Sequence, residues 1–179
     1  MNSIRIREVT PDDAARLSEI YAYYVNSTAI TFEYEAPDEE EFRGRIKSIT
    51  ENYPYICAEE NGRILGYAYA SRFRPRAAFL YCAEVSIYID KGVRKRGLGR
   101  MLYEELERRL KEQGILNLYA LIANPVDPQE KDEYVDTNSY DFHEHMGYVE
   151  NGIFHKCGYK FNRWYDLVTM EKNLGEHSI

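Results

Sequence analysis

Arg94-Lys95-Arg96-Gly97-Leu98-Gly99-Arg100 gathers four basic side chains and two glycines into seven residues. Lys91 extends the run, and no acidic residue interrupts it from Lys91 to Arg100. Glycines where a helix opens let a phosphate approach the backbone, and the first N–H groups of that helix have no partner of their own. Basic side chains add to the positive end of the helix dipole. The segment lacks the Gly-Lys-Ser/Thr ending of a P-loop and the three-glycine dinucleotide fingerprint. It reads as a seat for a pyrophosphate held without magnesium; a solvated basic helix start is the other reading. A second chemical group lies just upstream. Glu84 is a carboxylate inside the β-rich run Cys82–Ile89, facing away from Val85, Ile87 and Ile89.

The elements that must position these groups follow from periodicity. Ile4 to Val9 reads as a strand, and Thr10-Pro11-Asp12-Asp13 carries the cap, N1 proline and acidic third position of a helix start. Ala14, Leu17, Ile20, Tyr21 and Tyr24 then share a helical face. Phe42, Ile46 and Ile49 mark a second helix from Asp38 to about Thr50. Tyr55–Glu60 and Ile64–Phe73 read as a hairpin around Asn61-Gly62. Phe79–Ile89 reads as the strand that carries Glu84, followed by a helix from Gly97 to Gln113 with a leucine stripe and a stop at Gly114. Ile115–Ala123 is an apolar strand, and 124–136 an acidic surface loop. Ser139 is expected to cap a short helix ending near Gly147, before closing strands at Tyr148–Cys157 and Trp164–Glu171. This order implies an α+β fold with a mixed sheet.

Composition bounds the class. A chain of 179 residues, 44% hydrophobic, is expected to form one domain spanning 1–179. Three cysteines, at 57, 82 and 157, show neither disulfide nor zinc spacing, so no metal is expected. The net charge of −7 argues against a nucleic-acid partner. No leader-like or membrane-spanning run occurs, so no membrane partner and a cytoplasmic location are expected; Asn26-Ser27-Thr28 then carries no glycan.

Arg94-x-x-Gly97-x-Gly99 behind Glu84-Val85-Ser86-Ile87-Tyr88-Ile89 resembles the acetyl-CoA signature of the GNAT superfamily of N-acetyltransferases. Thr31-Phe32-Glu33, Gly66-Tyr67-Ala68-Tyr69-Ala70, Phe73-Arg74-Pro75-Arg76, Phe142-His143-Glu144 with Gly147-Tyr148, and Lys160-Phe161 with Trp164 and Asp166 extend the resemblance to the phosphinothricin acetyltransferase branch. The resemblance implies the GNAT fold, a splayed central sheet flanked by helices, with acetyl-CoA as acetyl-donor co-substrate. Its pantetheine arm would pair with backbone at Ile87, Tyr88 and Ile89, and its pyrophosphate would sit on amides from Arg94 to Arg100. It also implies a small amino acid or analogue as amine acceptor, and a homodimer.

An α-ammonium with a pKa near 8 must lose a proton before it attacks a thioester. Glu84 is the candidate base, matching the one proposed for that branch; a structural pairing with Arg74 or Arg76 is its other reading. A backbone N–H of the splayed strand would stabilise the oxyanion. His143 stands where many members of the superfamily carry a tyrosine that protonates the leaving sulfur, with Tyr140 in reserve; a histidine without a catalytic part is equally compatible. Arg72, Arg74 and Arg76 are candidates for gripping an acceptor carboxylate, and Phe32 for an apolar wall. One departure is local. The asparagine that helps to hold the pantetheine arm is replaced by Asp136, with Asn124 or Asn138 as substitutes, and an acidic insertion intervenes. Those acids either border the acceptor pocket or form a solvated loop. A polyamine or peptide N-terminal acetyltransferase, or a non-catalytic acyl-CoA sensor, are the competing functions.

Overall fold

Thr10 and Asp13 form the expected reciprocal pair: the Thr10 N–H donates to the Asp13 carboxylate at 2.8 Å, and the Asp13 N–H to the Thr10 carbonyl at 3.0 Å. Arg7 locks Asp13 with two further bonds. In the computed structural model, which describes residues 4–93, 96–127 and 131–177, this device links β1 (Arg5–Glu8) to α1 (Ala14–Ser27) through a 3-10 turn. Asp38 caps α2 (Glu39–Thr50) by accepting from the Glu41 N–H. β2 (Tyr55–Glu60) and β3 (Arg63–Arg72) join at Asn61 and Gly62, whose φ values of 52° and 76° are those of a tight hairpin turn.

β4 (Cys82–Ile89) begins three residues later than the sequence pattern suggests. The reason is local: Ala77–Phe79 closes into a 3-10 turn, with the Phe79 N–H on the Arg76 carbonyl. α3 (Leu98–Glu112) buries the expected stripe of Leu98, Leu102, Leu106 and Leu110, together with Tyr103. β5 (Asn117–Pro125) and α4 (Asn138–His145) follow; Thr137, rather than Ser139, precedes α4. β6 (Val149–Lys160) outruns its expected end, because Phe161 and Asn162 at φ 51° and 59° turn the chain directly into β7 (Arg163–Asn173). No glycine marks that turn.

The sheet order is β1-β2-β3-β4-β5-β7-β6, and every neighbouring pair is antiparallel except β4–β5. It is therefore the mixed sheet expected. α3 packs on one face with Ala83, Val85, Leu118 and Ile122. α1 and α2 cover the other with Tyr55, Tyr67 and Tyr88. The β4–β5 seam is short: its parallel rungs run only from Cys82↔Asn117 to Glu84↔Tyr119. Beyond them the two strands part. No helix among the described residues is long and apolar enough to cross a membrane.

Candidate active site

The parting of β4 and β5 leaves one edge of β4 without a strand partner. The Asp90 N–H donates to the Leu65 carbonyl at 2.8 Å, which fixes the hydrogen-bonding phase of the β3–β4 ladder. Paired residues in an antiparallel ladder alternate between exchanging hydrogen bonds and turning their backbone groups outward. With Tyr67↔Tyr88 two steps from that bond, Tyr88 spends its N–H and C=O on β3, whereas Val85, Ile87 and Ile89 aim theirs the other way, Val85 toward the last β5 rung and Ile87 and Ile89 into the cleft. The expectation that Tyr88 offers backbone to a ligand is corrected accordingly. Its ring instead packs on the opposite face, 4.9 Å from Tyr21 and 5.5 Å from Tyr67. At Ile89 the Tyr24 hydroxyl answers the backbone, donating to the carbonyl at 2.6 Å and lying 3.2 Å from the N–H. Sequence gave no sign of this contact, which joins residues 65 positions apart.

α3 opens at the mouth of the same cleft. Gly97 takes the left-handed conformation at φ 70°, which glycine adopts without a Cβ penalty. The first bond after this turn runs from the Met101 N–H to the Gly97 carbonyl, so the amides of Leu98, Gly99 and Arg100 precede the intrahelical ladder. They border a cavity of about 370 Å³ together with Ile89, Val93 and Phe142. A Cβ on Gly99 would meet the Phe142 ring at 2.9 Å, so close packing demands the second glycine too. The basic side chains contribute less than their number suggests. Arg96 pairs with Glu60 at 2.6 Å and Arg100 with Glu104 at 2.7 Å, the second pair largely in solvent. Arg94 and Lys95 lie outside the described residues.

Glu84 stands at the last rung before the split, opposite Ser71 on one side and Tyr119 on the other. It shares its sheet face with Ser86 and Tyr88, as alternation requires. Burial raises its pKa above the usual glutamate value of 4.5, and the charge of Arg74 works in the opposite direction. Other acids of the sheet and of the loop before α2 are tied down: Glu33 by Arg45, Glu59 by Arg7, Glu60 by Arg96. No such ion pair holds Glu84 among the described residues. The structural pairing with Arg74 or Arg76 is thus absent, although Arg74 is close enough to be felt. Arg74 itself lies 4.2 Å over the Phe73 ring and donates to the Phe73 carbonyl.

The three arginines do not line one extended face. Arg72 ends β3 opposite Ala83, one step from Ser71↔Glu84, so its side chain leaves the sheet on the face away from Glu84. Arg76 precedes the 3-10 turn, and both Arg74 and Arg76 are exposed. Phe32 packs beside Tyr165, at 6.3 Å between ring centres, in a small cluster with Ala29, Ala123 and Val135.

His143 is 4% exposed and fully engaged. Its Nδ1 lies 2.7 Å from the Ser139 carbonyl, which only accepts, so Nδ1 carries the proton. Nε2 then accepts from the Tyr103 hydroxyl at 2.9 Å. Burial lowers the pKa from 6.5, against the raising effect of the Ser139 carbonyl, and the ring is neutral. An imidazolium poised to protonate sulfur is not what this geometry offers; the histidine instead joins α3 to α4. Tyr140, the reserve donor, has its pKa raised chiefly by Glu150.

From Asp132 onward the acidic insertion is folded rather than a merely solvated loop. Asp132 accepts from the N–H groups of Tyr134 and Val135 at 2.7 and 3.1 Å and pairs with Arg163 at 3.0 Å. Asp136 accepts from the Asn138 N–H, and Glu133 reaches the same Arg163. Tyr134 stacks on Phe161 with centroids 4.1 Å apart. Together with Tyr23, Tyr24 and Ile89 this segment walls a cavity of about 450 Å³. On the β5 limb, Asn124 buries its amide oxygen without a partner among the described residues.

The acetyltransferase (GNAT) domain model matches residues 6–169. Phosphinothricin N-acetyltransferase of Alcaligenes faecalis is 36% identical over 170 residues, 94% of this chain and 82% of that protein. L-methionine sulfoximine/L-methionine sulfone acetyltransferase of Salmonella typhimurium is 29% identical over 97% of this chain and 96% of its own. The crystal structure of a phosphinothricin acetyltransferase from Sinorhizobium meliloti in complex with acetyl-CoA superposes with a TM-score of 0.85 at 33% identity, covering 96% of this chain and 89% of that one. A split sheet, a glycine-opened helix at its mouth and a family match over nearly the whole length agree: the chain belongs to the GNAT family of acetyltransferases.

Proposed function

We propose that this enzyme acetylates the α-amine of a small amino acid or close analogue, in the class of phosphinothricin and methionine sulfoximine or sulfone. The relatives' names support the acceptor class. One observation carries the chemistry: Glu84, a desolvated carboxylate with no ion pair among the described residues, borders the cleft where β4 leaves β5.

The residues of the cleft fit acetyl-CoA. The amides of Leu98–Arg100, which precede the helical ladder, suit its diphosphate, and the β4 edge at Ile87 and the Asn124 oxygen, unpartnered among the described residues, suit the amides of its arm. When bound it supplies an activated acetyl thioester. Glu84 binds the acceptor ammonium and takes its proton, leaving a neutral amine; its raised pKa makes it a better base than an exposed glutamate. Arg74, with Arg76 beside it, faces the acceptor carboxylate, and Phe32 forms an apolar wall. No proton is drawn from His143, whose only ring N–H is held by Ser139. Asp132, Glu133 and Asp136 are occupied in folding the insertion, so these three carboxylates do not favour a polyamine acceptor.

The reading extends to a homodimer. β6 is an edge strand and leaves Val149, Ile153, Phe154 and Tyr159 exposed on its two faces, apolar surface along an open edge that suits a second copy.

The deciding experiment follows thiol release from acetyl-CoA with methionine sulfone, phosphinothricin, spermidine and a short peptide as acceptors. Glu84→Gln is expected to lower kcat by about 10²–10⁴ while leaving the acetyl-CoA Kd unchanged. Equal loss of both would make Glu84 a folding residue, and turnover with spermidine alone would replace the acceptor class.

A further inference from the structure

Lys160 is 3% exposed, yet no carboxylate pairs with it among the described residues. Its ammonium donates instead to two backbone carbonyls, Thr28 at 2.9 Å and Thr31 at 2.8 Å. Burial lowers its pKa to about 8, with Glu33 working the other way. A buried cation held by two carbonyls and the face of the Phe161 ring, 5.1 Å away, but by no carboxylate among the described residues, is expensive, and an apolar residue of that length would fill the space with less penalty. What the ammonium does accomplish is geometric. Thr28 ends α1, and Thr31 immediately precedes Phe32.

The two preceding residues of β6 act on the same segment. At Gly158, an added Cβ would fall inside the Phe32 ring, so the aromatic occupies the volume of the missing side chain. At Tyr159, the carbonyl accepts from the Tyr34 hydroxyl at 2.5 Å. Three consecutive residues of one strand thus hold one loop at Phe32, at Tyr34 and at the carbonyls of Thr28 and Thr31. The loop is also tied outward: Ala29 donates to the Tyr134 carbonyl of the insertion at 2.9 Å, and Glu33 pairs with Arg45 of α2 at 2.7 Å.

We infer that Lys160 and Gly158 are positioning residues that set the Phe32 ring, so that the β6–β7 hairpin fixes the shape of the acceptor pocket. The inference rests on the proposed role of Phe32 in that pocket. Lys160 touches neither acetyl-CoA nor acceptor; it acts through the loop.

The test uses the full chain labelled with 4-fluorophenylalanine, with Phe32→Leu assigning the Phe32 fluorine resonance. In Lys160→Met and in Gly158→Ala that resonance shifts or broadens while the other phenylalanines keep theirs. With methionine sulfone at saturating acetyl-CoA, the acceptor KM rises about tenfold in both variants, kcat stays within about threefold and the acetyl-CoA Kd is unchanged. Lys160→Arg, which keeps the donors, retains most of the wild-type KM. Gly158→Ala combined with Phe32→Leu shows no penalty beyond Phe32→Leu alone, because the clash has been removed. An unmoved Phe32 resonance in folded variants, or kcat and coenzyme affinity falling together with KM, overturns the inference. Should Lys160→Met fail to fold, Gly158→Ala and its double variant decide alone. A wild-type protein inert toward every amine would refute the proposed acceptor chemistry, whereas the fluorine spectrum would still judge the clamp.

Discussion

Glu84 ties the chemistry of the enzyme to its stability with opposite signs. Burial disfavours its charged form and Arg74 offsets that only in part, so the folded-state pKa lies above the unfolded value near 4.5. The carboxyl therefore favours folding while protonated, and that contribution is lost as pH rises through the folded value. Glu84→Gln is expected to melt a few degrees above wild type at pH 7 to 8, with the advantage shrinking toward pH 4; a lower Tm across the whole range would contradict a desolvated carboxylate. The same shift places the acid limb of kcat/KM above the ordinary glutamate range, and the variant should lose that limb along with its rate. At this scale the sequence was informative about Glu84, because strand alternation already turned it away from Val85 and Ile87. It was uninformative about His143. Spacing put the ring on α4, but neutrality follows from the Ser139 carbonyl and the Tyr103 hydroxyl, the latter 40 residues away.

Among the elements, α3 has the most exacting start. Gly97 sits at φ 70°, where a Cβ costs about 1–2 kcal/mol, and its turn aims the first amides of the helix into the cavity. Gly97→Ala is expected to weaken acetyl-CoA binding by about tenfold or more, while Glu84-dependent pH behaviour persists in saturating coenzyme. Calorimetric titration giving a wild-type Kd would show that the turn is not the anchor. Helix starts and the Asn61-Gly62 hairpin were legible because their signals are local: a cap, a proline at N1, two residues that accept positive φ. The Phe161-Asn162 turn was not, since a phenylalanine at φ 51° is stabilised by its stack on Tyr134 from the insertion. Nor was the backbone phase of β4, which depends on how β3 pairs with it. That phase separates Ile87, which faces the cleft, from Tyr88, which does not.

For the whole molecule, the net charge of −7 is spread over a surface whose apolar exposure is concentrated in part on β6, at the sheet's open edge. Ile153 and Phe154 expose 41% and 53% of their areas there, a pattern that natural edge strands avoid unless something covers them. Light scattering after gel filtration is expected to give a dimer at micromolar concentration, and Phe154→Lys a monomer; a monomeric wild type would refute that assembly. The general outline of the fold was readable from alternation of strand and helix signals. The exposure of β6 was not, because a single chain's periodicity does not distinguish an exposed apolar strand from a covered one.

The brief seam between β4 and β5 has a metabolic corollary. Four strands precede it in the chain and three follow, so each half of the sheet is a contiguous stretch of polypeptide joined to the other by three rungs. A coenzyme lying between the limbs rivets them together, and at a hundredfold excess over Kd such a rivet adds about 2.7 kcal/mol against unfolding. Scarcity of the acetyl donor would then shorten the enzyme's lifetime as well as idle it, making cellular abundance a readout of donor supply.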